Sequence, residues 1–550
     1  MDTEQLQKDM STTEVEYEYL IESESETEKK QKIRSLLADN TYHDADDHVV
    51  FEERELFQRI IEMVLEKAKE ITIIIEPDHI DEFYTDTYYH HYAGLHFKPI
   101  KYCKRLSFFQ GKITPKFFMS KDAQLRNELQ EGLMGTMTIR PLKYGFIGRT
   151  LLDPKKVLPS DSGERIYLRT AEFRQHILGV EFTLEAFSFC SQDSCFMTCA
   201  EVTIMNLMEY YVARYHAYRK TLPSDIKKLA QRYQHERATP STGLTYLVVS
   251  KILSEFGFSP ILYNIETIKM YPLVGDEREN EIKRIMHYYV ESGIPVAVNV
   301  EPGKGDFRGG HSLLCIGHSS EKDERRAKKY SLSGRHAQHA VIDSADFYMR
   351  YCVIDDHQKP YEIRNYREIS TFQNMGISNL AVPLYKKMYL EAKYAHDIFY
   401  GIFRSSSLGL EVWDIPKEYL EEDEMVVMRI YQASSRNYKS FKIESYDDSH
   451  MCRKFKLSQL KLPQFVWCCE FFSYSQYTTE ERQAFAEIVL DATASLKNDY
   501  MGAVIAIETV NKLIKKEKVD SKEKLFVIDF RSVSESDTLI PAYDRNLKKV

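Results

Sequence analysis

Cys199 closes a polar turn, Gln192-Asp193-Ser194-Cys195-Phe196-Met197-Thr198-Cys199-Ala200, that runs without a break into Glu201 to Tyr211. Ala200, Ile204, Leu207, Met208 and Tyr211 recur at helical spacing, which predicts a helix with Cys199 in its first turn. Unpaired N–H groups and the positive end of the helix dipole favour a thiolate at such a position, so the cysteine is suited to act as a nucleophile. Gln192, shortly upstream, can add a side-chain N–H to the backbone N–H of Cys199 and complete an oxyanion hole. A thiolate nucleophile needs a base, and an intracellular cysteine enzyme finds it far along the chain. His311 is the candidate, in Gly309-Gly310-His311-Ser312-Leu313-Leu314-Cys315-Ile316-Gly317. Farther on, Tyr351-Cys352-Val353-Ile354-Asp355-Asp356 reads as a strand ending in two acids, of which Asp355 is expected to orient the imidazole. These residue types support attack on an amide carbonyl through a thioester, and the chemistry requires no cofactor.

Rival readings attach to the same residues. Cys195 is an alternative nucleophile, but it falls in the turn and gains less from the helix dipole. Cys190, Cys195 and Cys199 could bind zinc, although the spacing lacks a second knuckle. His90-His91 offers two imidazoles without an adjacent carboxylate or thiol partner, a pattern more usual for surface or packing residues. Asp356 stands beside Asp355 as an alternative orienting acid. The bland readings are a buried small cysteine, a loop histidine and acids that merely end a strand.

The elements that must position these groups follow from pattern. Glu181 to Phe189 alternates as a strand leading into the Gln192 turn, and Pro223-Ser224-Asp225 opens a helix to about Tyr233. Leu244 to Phe256, after Pro240-Ser241-Thr242-Gly243, and Glu279 to Ser292 read as helices ended by Gly257 and Gly293. Ile294 to Val300 reads as the strand preceding His311. The basic segment Ser319 to His339 is expected to be a solvated loop, with a lid or substrate-gripping patch as the alternative.

Helix with cysteine, strand with histidine and strand with acid, in that order, is the order of the papain-like fold. Gln192-Asp193, Cys199-Ala200, Gly310-His311 through Ile316-Gly317, and Asp355-Asp356 with Pro360-Tyr361 resemble the papain-like cysteine peptidases of the C39-like group, particularly uncharacterised bacterial members. Ile139-Arg140-Pro141, Ile147-Gly148-Arg149-Thr150 and Val489-Leu490-Asp491-Ala492-Thr493 resemble recurrent pieces of the longer proteins of that group. Gln192 stands seven positions before Cys199, one more than is usual in papain-like enzymes. The resemblance implies a thiol protease acting on a peptide or protein substrate through Cys199, His311, Asp355 and Gln192. Amide transfer to an amine by the same thioester, as in transglutaminases, and a catalytically silent scaffold are the alternative functions.

Five hundred and fifty residues exceed one core. The expected fold class is α+β: a disordered acidic tail (1–47), an N-terminal α+β region (48–180), a papain-like catalytic domain (181–385) and a C-terminal α+β region (386–550). Leu56 to Ala68 predicts an amphipathic helix, Ile71 to Ile75, Met137 to Arg140 and Phe146 to Leu152 predict strands, and Lys121 to Leu133 predicts a helix. In the last region Met388 to Phe403 and Glu480 to Val489 are expected to be helices. Met425 to Tyr431, Tyr438 to Ile443, Gln464 to Phe472 and Leu525 to Phe530 are expected to be strands. This region is expected to pack with the N-terminal one, making the catalytic domain an insertion. A net charge of −9 argues against nucleic acid as a partner. No apolar run is long enough for a membrane span, and the acidic N-terminus lacks the marks of a signal peptide. Nine cysteines without framework spacing fit reduced thiols, and the cytoplasm is the expected compartment.

Overall fold

The computed structural model describes residues 15–21, 24, 26–37, 48–96, 98–158, 164–234, 243–265, 276–302, 309–323, 325, 328–331, 339–370, 372–404, 418–419, 421, 424–495, 500–519, 522–533, 535 and 538–550. Helices and strands are both abundant and the strands form separate sheets, so the class is α+β. The first sheet is antiparallel and takes its strands in chain order: β1 (Glu16–Ile21), β2 (Glu70–His79), β3 (Cys103–Gln110), β4 (Leu133–Ile139) and β5 (Ile147–Leu152). Its isoleucines and phenylalanines share a core with α1 (Glu26–Ser35) and α2 (His48–Leu65), the latter contributing Leu56, Phe57, Ile60, Ile61, Met63 and Val64. The Tyr- and His-rich stretch after β2 is helix α3 (Glu82–His90), capped by Asp81, and α4 (Ala123–Gly132) precedes β4.

The second sheet carries the candidate chemistry. Its order is β15 (Glu362–Asn365), β14 (Arg350–Ile354), β11 (His311–Ser319), β10 (Val296–Pro302), β16 (Met375–Val382) and β9 (Ile261–Asn264). Short β6 (Ile166–Leu168) joins the far end of β11, and β25 (Lys548–Lys549) pairs with β6. Gly317 is required there: a Cβ would meet the Tyr167 carbonyl oxygen at 2.2 Å. One face, with Ala297, Leu314, Ile316, Ile354 and Ala381, belongs to the same core as α5 (Cys199–Arg214), α6 (Pro223–Tyr233) and α7 (Tyr246–Glu255). The other face, with Val296, Val298, Leu313, Cys315, Val353 and Leu380, packs with α8 (Asp276–Glu291) and α9 (Ala392–Arg404).

That second core continues into a third sheet: β12 (Lys329–Ser331), β13 (Ala340–Asp343), β17 (Val426–Ser434), β18 (Phe465–Ser473), β20 (Ala486–Asp491), β21 (Val504–Thr509), β22 (Lys512–Val519) and β23 (Lys522–Asp529). Hairpin β7–β8 (Ala171–Ile177, Val180–Ala186) and the pair β19–β24 (Gln483–Ala484, Ile540–Pro541) complete the strands. Helices α10 (Ser435–Ser445) and α11 (Met451–Ser458) lie between β17 and β18 in the chain.

Several expectations need correction. The segment 1–47 is not structureless throughout: β1 pairs with β2 over six residues, and Leu20, Ile33, Leu36 and Leu37 are buried in the first core. Residues 1–14 and 38–47 lie outside the described residues, as do Pro240, Ser241 and Thr242. Tyr438 to Ile443 is helix, because Tyr438, Phe441 and Lys442 bury one helical face. Glu480 to Val489 is not helix: it contributes β19 and most of β20, the latter a central strand between β18 and β21. Strand β12 stands within the expected loop Ser319 to His339, of which 324, 326–327 and 332–338 lie outside the described residues. The expected boundaries are crossed by pairing, since β6 from before residue 181 joins the second sheet and β13 from before 386 joins the third, parallel to β17. The C-terminal region shares its core with the His311 sheet, and the first sheet is not part of that core. Among the described residues no helix is long and apolar enough to cross a membrane.

Candidate active site

Cys199 is the first residue of α5, as the apolar spacing predicts, with Thr198 as N-cap in extended conformation. Helix α5 is anchored at this end by Glu201, whose fully buried carboxylate accepts the Thr198 backbone N–H at 2.6 Å and pairs with Lys227 of α6. A carboxylate in the first turn also complements the helix dipole. Thr203 donates its hydroxyl to the Ser312 carbonyl at 3.2 Å, docking α5 on β11 one residue beyond His311.

The turn before the cysteine is built around Asp193. Its Oδ1 accepts the N–H groups of Cys195, Phe196 and Met197 at 3.0, 2.7 and 2.8 Å, and its Oδ2 accepts the Tyr92 hydroxyl at 2.9 Å. Ser194 takes a left-handed φ of 56° to make this possible. Gly145 packs beneath the turn at φ 69°, where a Cβ would lie 2.5 Å from the Gln192 carbonyl oxygen. Buried Glu53 accepts from Gly145 and Ile147 N–H and from Ser191 Oγ, so the N-terminal region and the turn are one structure.

His311 opens β11 and is 5 % exposed. Its Nε2 lies 2.9 Å from Asp355 Oδ1 and 3.5 Å from Asp356 Oδ1, and its ring also hydrogen-bonds the Cys199 thiol. With Nε2 facing the carboxylates, Nδ1 is the nitrogen left for sulfur. Burial alone would lower the His311 pKa. The Asp355 charge and hydrogen bond, the Cys199 hydrogen bond and the Asp356 charge outweigh it and hold the imidazole well above its ordinary value. Asp355 is fully buried as well, but its pairing with His311 and the His357 N–H at 3.0 Å keeps its carboxyl below the ordinary value. Asp356 differs: burial pushes its carboxyl up to about 6, against the pull of His311 and His357. Neither Asp356 oxygen nor Asp355 Oδ2 forms a hydrogen bond, although His311 Nε2 stands 3.5 Å from Asp356 Oδ1.

The structure thus brings together Cys199, His311 and Asp355. Cys199 and His311 open onto a cleft of about 810 Å³, with Tyr246, Asn299, Glu301 and Asn379 among its walls. Gln192 departs from the expectation of an oxyanion donor. Its amide nitrogen lies 2.9 Å from His357 Nε2, and it lines a neighbouring cavity of about 320 Å³ rather than the cleft. The extra residue between Gln192 and Cys199 belongs to the Asp193 turn, which carries Gln192 away.

Cys195 does not reach this group; its sulfur is 3.3 Å from His91 Nε2, and burial with the nearby Asp193 charge pushes its thiol pKa up. His90 instead bonds to Asp86, so the two adjacent histidines diverge. Cys190 is buried against Asn206. All nine cysteines are free thiols. Sequence reasoning missed His357 and Phe372, whose rings pack edge-on near His311 at centroid distances of 5.4 and 5.1 Å. His357 stood in plain view two positions after Asp355, whereas Phe372 carried no signal. Tyr361 holds the turn after Asp356 at φ 63°, fixed by its hydroxyl donating to the Leu152 carbonyl and accepting from Phe187 N–H. No known family model matches the chain, and a search of curated proteins likewise finds no match.

Proposed function

We propose that this protein is a cysteine-dependent amide hydrolase, a peptidase of papain-like chemistry, acting on peptide or protein substrates bound in the 810 Å³ cleft. The observation that carries this reading is the chain of contacts from Cys199 at a helix N-terminus to His311 to Asp355. Cys199, its proton already passed to His311 in a thiolate–imidazolium pair, attacks the substrate carbonyl carbon, and the carbonyl oxygen takes up the negative charge. The Cys199 backbone N–H, one of the orphan donors of the first helical turn, meets that oxygen. Gln192 contributes only once its amide leaves His357. Imidazolium then protonates the departing amine, leaving a thioester on sulfur. Water, deprotonated by His311, hydrolyses it and regenerates the thiol. Asp355 holds the ring in the tautomer and orientation that this proton traffic needs.

The test is a screen in which a proteome or peptide library is incubated with the parent protein or with Cys199→Ala. Cleavage by the parent alone supports the reading. Equal fragment patterns from both would leave the fold as a scaffold without turnover.

A further inference from the structure

The site holds more ligand chemistry than the peptidase reading uses. His311, Asp356 and His357 each present one donor atom, all within 4.8 Å of one another, the one such group among the described residues. Asp356 is 6 % exposed, and neither of its oxygens forms a hydrogen bond. A carboxylate this deeply buried carries a desolvation cost, which a cation would offset. Two imidazoles and a carboxylate form a ligand set suited to zinc and similar divalent transition metals, with room for further positions. Entry is available without passing through the substrate cleft: the 320 Å³ cavity is lined by Asp356, His357, Gln192 and Phe372 but not by Cys199.

We propose that Asp356, His357 and His311 form a binding site for a divalent transition metal, whose occupancy blocks the Cys199–His311 pair. The ring nitrogen of His311 nearest Asp356 is Nε2. A metal there displaces the Nε2 proton to solvent and leaves the remaining proton on Nδ1, the side facing Cys199. The ring then faces sulfur as a neutral N–H donor in place of an imidazolium, so the thiolate loses its ion pair and takes a proton from solvent. The consequence for activity rests on the peptidase reading, whereas metal binding does not.

Zinc chloride titrated calorimetrically into the full chain carrying Cys199→Ala tests binding without the thiol, and cobalt(II) gives a visible absorption band that reports nitrogen and oxygen ligands. One equivalent is expected to bind. His357→Ala and Asp356→Asn, each made in the Cys199→Ala background, are expected to weaken that site by roughly tenfold or more. A thermal melt of each variant establishes that it is folded. In protein retaining Cys199, zinc is expected to slow alkylation of Cys199, and His357→Ala is expected to shift the required zinc upward by the same factor. Loss of the zinc site in Cys199→Ala would make the thiol a ligand and overturn the assignment. Unchanged affinity in both ligand variants, once folded, would overturn it as well. Zinc binding with undiminished alkylation would remove the blocking role while leaving the peptidase reading intact.

Discussion

Two neighbouring acids, Asp355 and Asp356, face His311. Asp355 is at hydrogen-bonding distance from Nε2 and its carboxyl is held below the ordinary value, whereas Asp356 stands 3.5 Å away with its carboxyl pushed up to about 6. Asp355→Asn is therefore expected to lower kcat/KM by roughly a hundredfold or more, the scale of a positioned acid–base group, and Asp356→Asn by less than roughly tenfold. Rates measured in the presence of a chelator, on variants with matching melts, check the ranking, and a reversed order would transfer the orienting role to Asp356. The triad was legible in the sequence because a nucleophile at a helix start, a glycine-led histidine and an acid at a strand end each leave a local mark. The place of Gln192 was not, because it depends on the Asp193 turn, and that turn depends on Tyr92 and Gly145 from distant parts of the chain.

At the element scale the Asp193 turn and the third sheet make separate demands. Asp193→Ala removes the acceptor of three backbone N–H groups and of the Tyr92 hydroxyl. It is expected to cost about 2–4 kcal/mol, read from urea unfolding, and to slow chemistry at Cys199 by loosening the start of α5. A stability change below about 0.5 kcal/mol would mean the turn is held by other means. The C-terminal sheet buries an ion network across its strands. Arg429 of β17 contacts Glu470 of β18 at 2.9 Å, Glu470 stands opposite Glu487, and Glu487 stands opposite Glu508. Lys442 and Arg453 from α10 and α11 pair with these acids. This explains both misread segments. Lys442 lies in one of them and Glu487 in the other, and each is buried because the other neutralises it. Only pairing between distant segments supplies that information.

At the scale of the whole molecule, the sheets are tied together through Glu291 and the C-terminus. Glu291 of α8 reaches Arg429 of β17 at 2.8 Å and His318 of β11 at 2.9 Å, joining the third sheet to the strand that carries His311. Burial would raise its pKa, but Arg429 and His318 hold it well below the ordinary carboxyl value. Its stabilising contribution is thus present above the unfolded pKa near 4.5 and is lost as pH falls toward the depressed folded value. Glu291→Gln is expected to cost about 3–5 kcal/mol near pH 7, with the gap to the parent narrowing below pH 4.5; a gap that stays constant with pH would contradict this. The chain end does similar work. Val550 and Ile166 exchange backbone hydrogen bonds, and Asn546 bridges the Glu291 and Gln432 carbonyls. Truncation after Asp544 is expected to lower the melting temperature and, because β6 pairs with β11, to slow Cys199 chemistry. An unchanged melt would show that this strand pairing is dispensable. Domain boundaries were the least legible feature, since β6, β13 and β25 are short and join their sheets through distant partners, Tyr167 pairing with His318 and Lys549, and Val341 with Val426.

The central claim, that Cys199 is the activated nucleophile, is tested most directly by brief alkylation near pH 6 with a small haloacetamide in the presence of a chelator, followed by peptide mapping. Six of the nine cysteines are buried, so Cys199 competes with Cys195 and Cys452 alone. Of these, only Cys199 is hydrogen-bonded to a histidine that an ionised carboxylate holds in its protonated form. Cys199 is expected to be labelled first, and His311→Ala to slow its labelling while leaving Cys452 unchanged. Preferential labelling of Cys195, or labelling of Cys199 that His311→Ala does not slow, would contradict it.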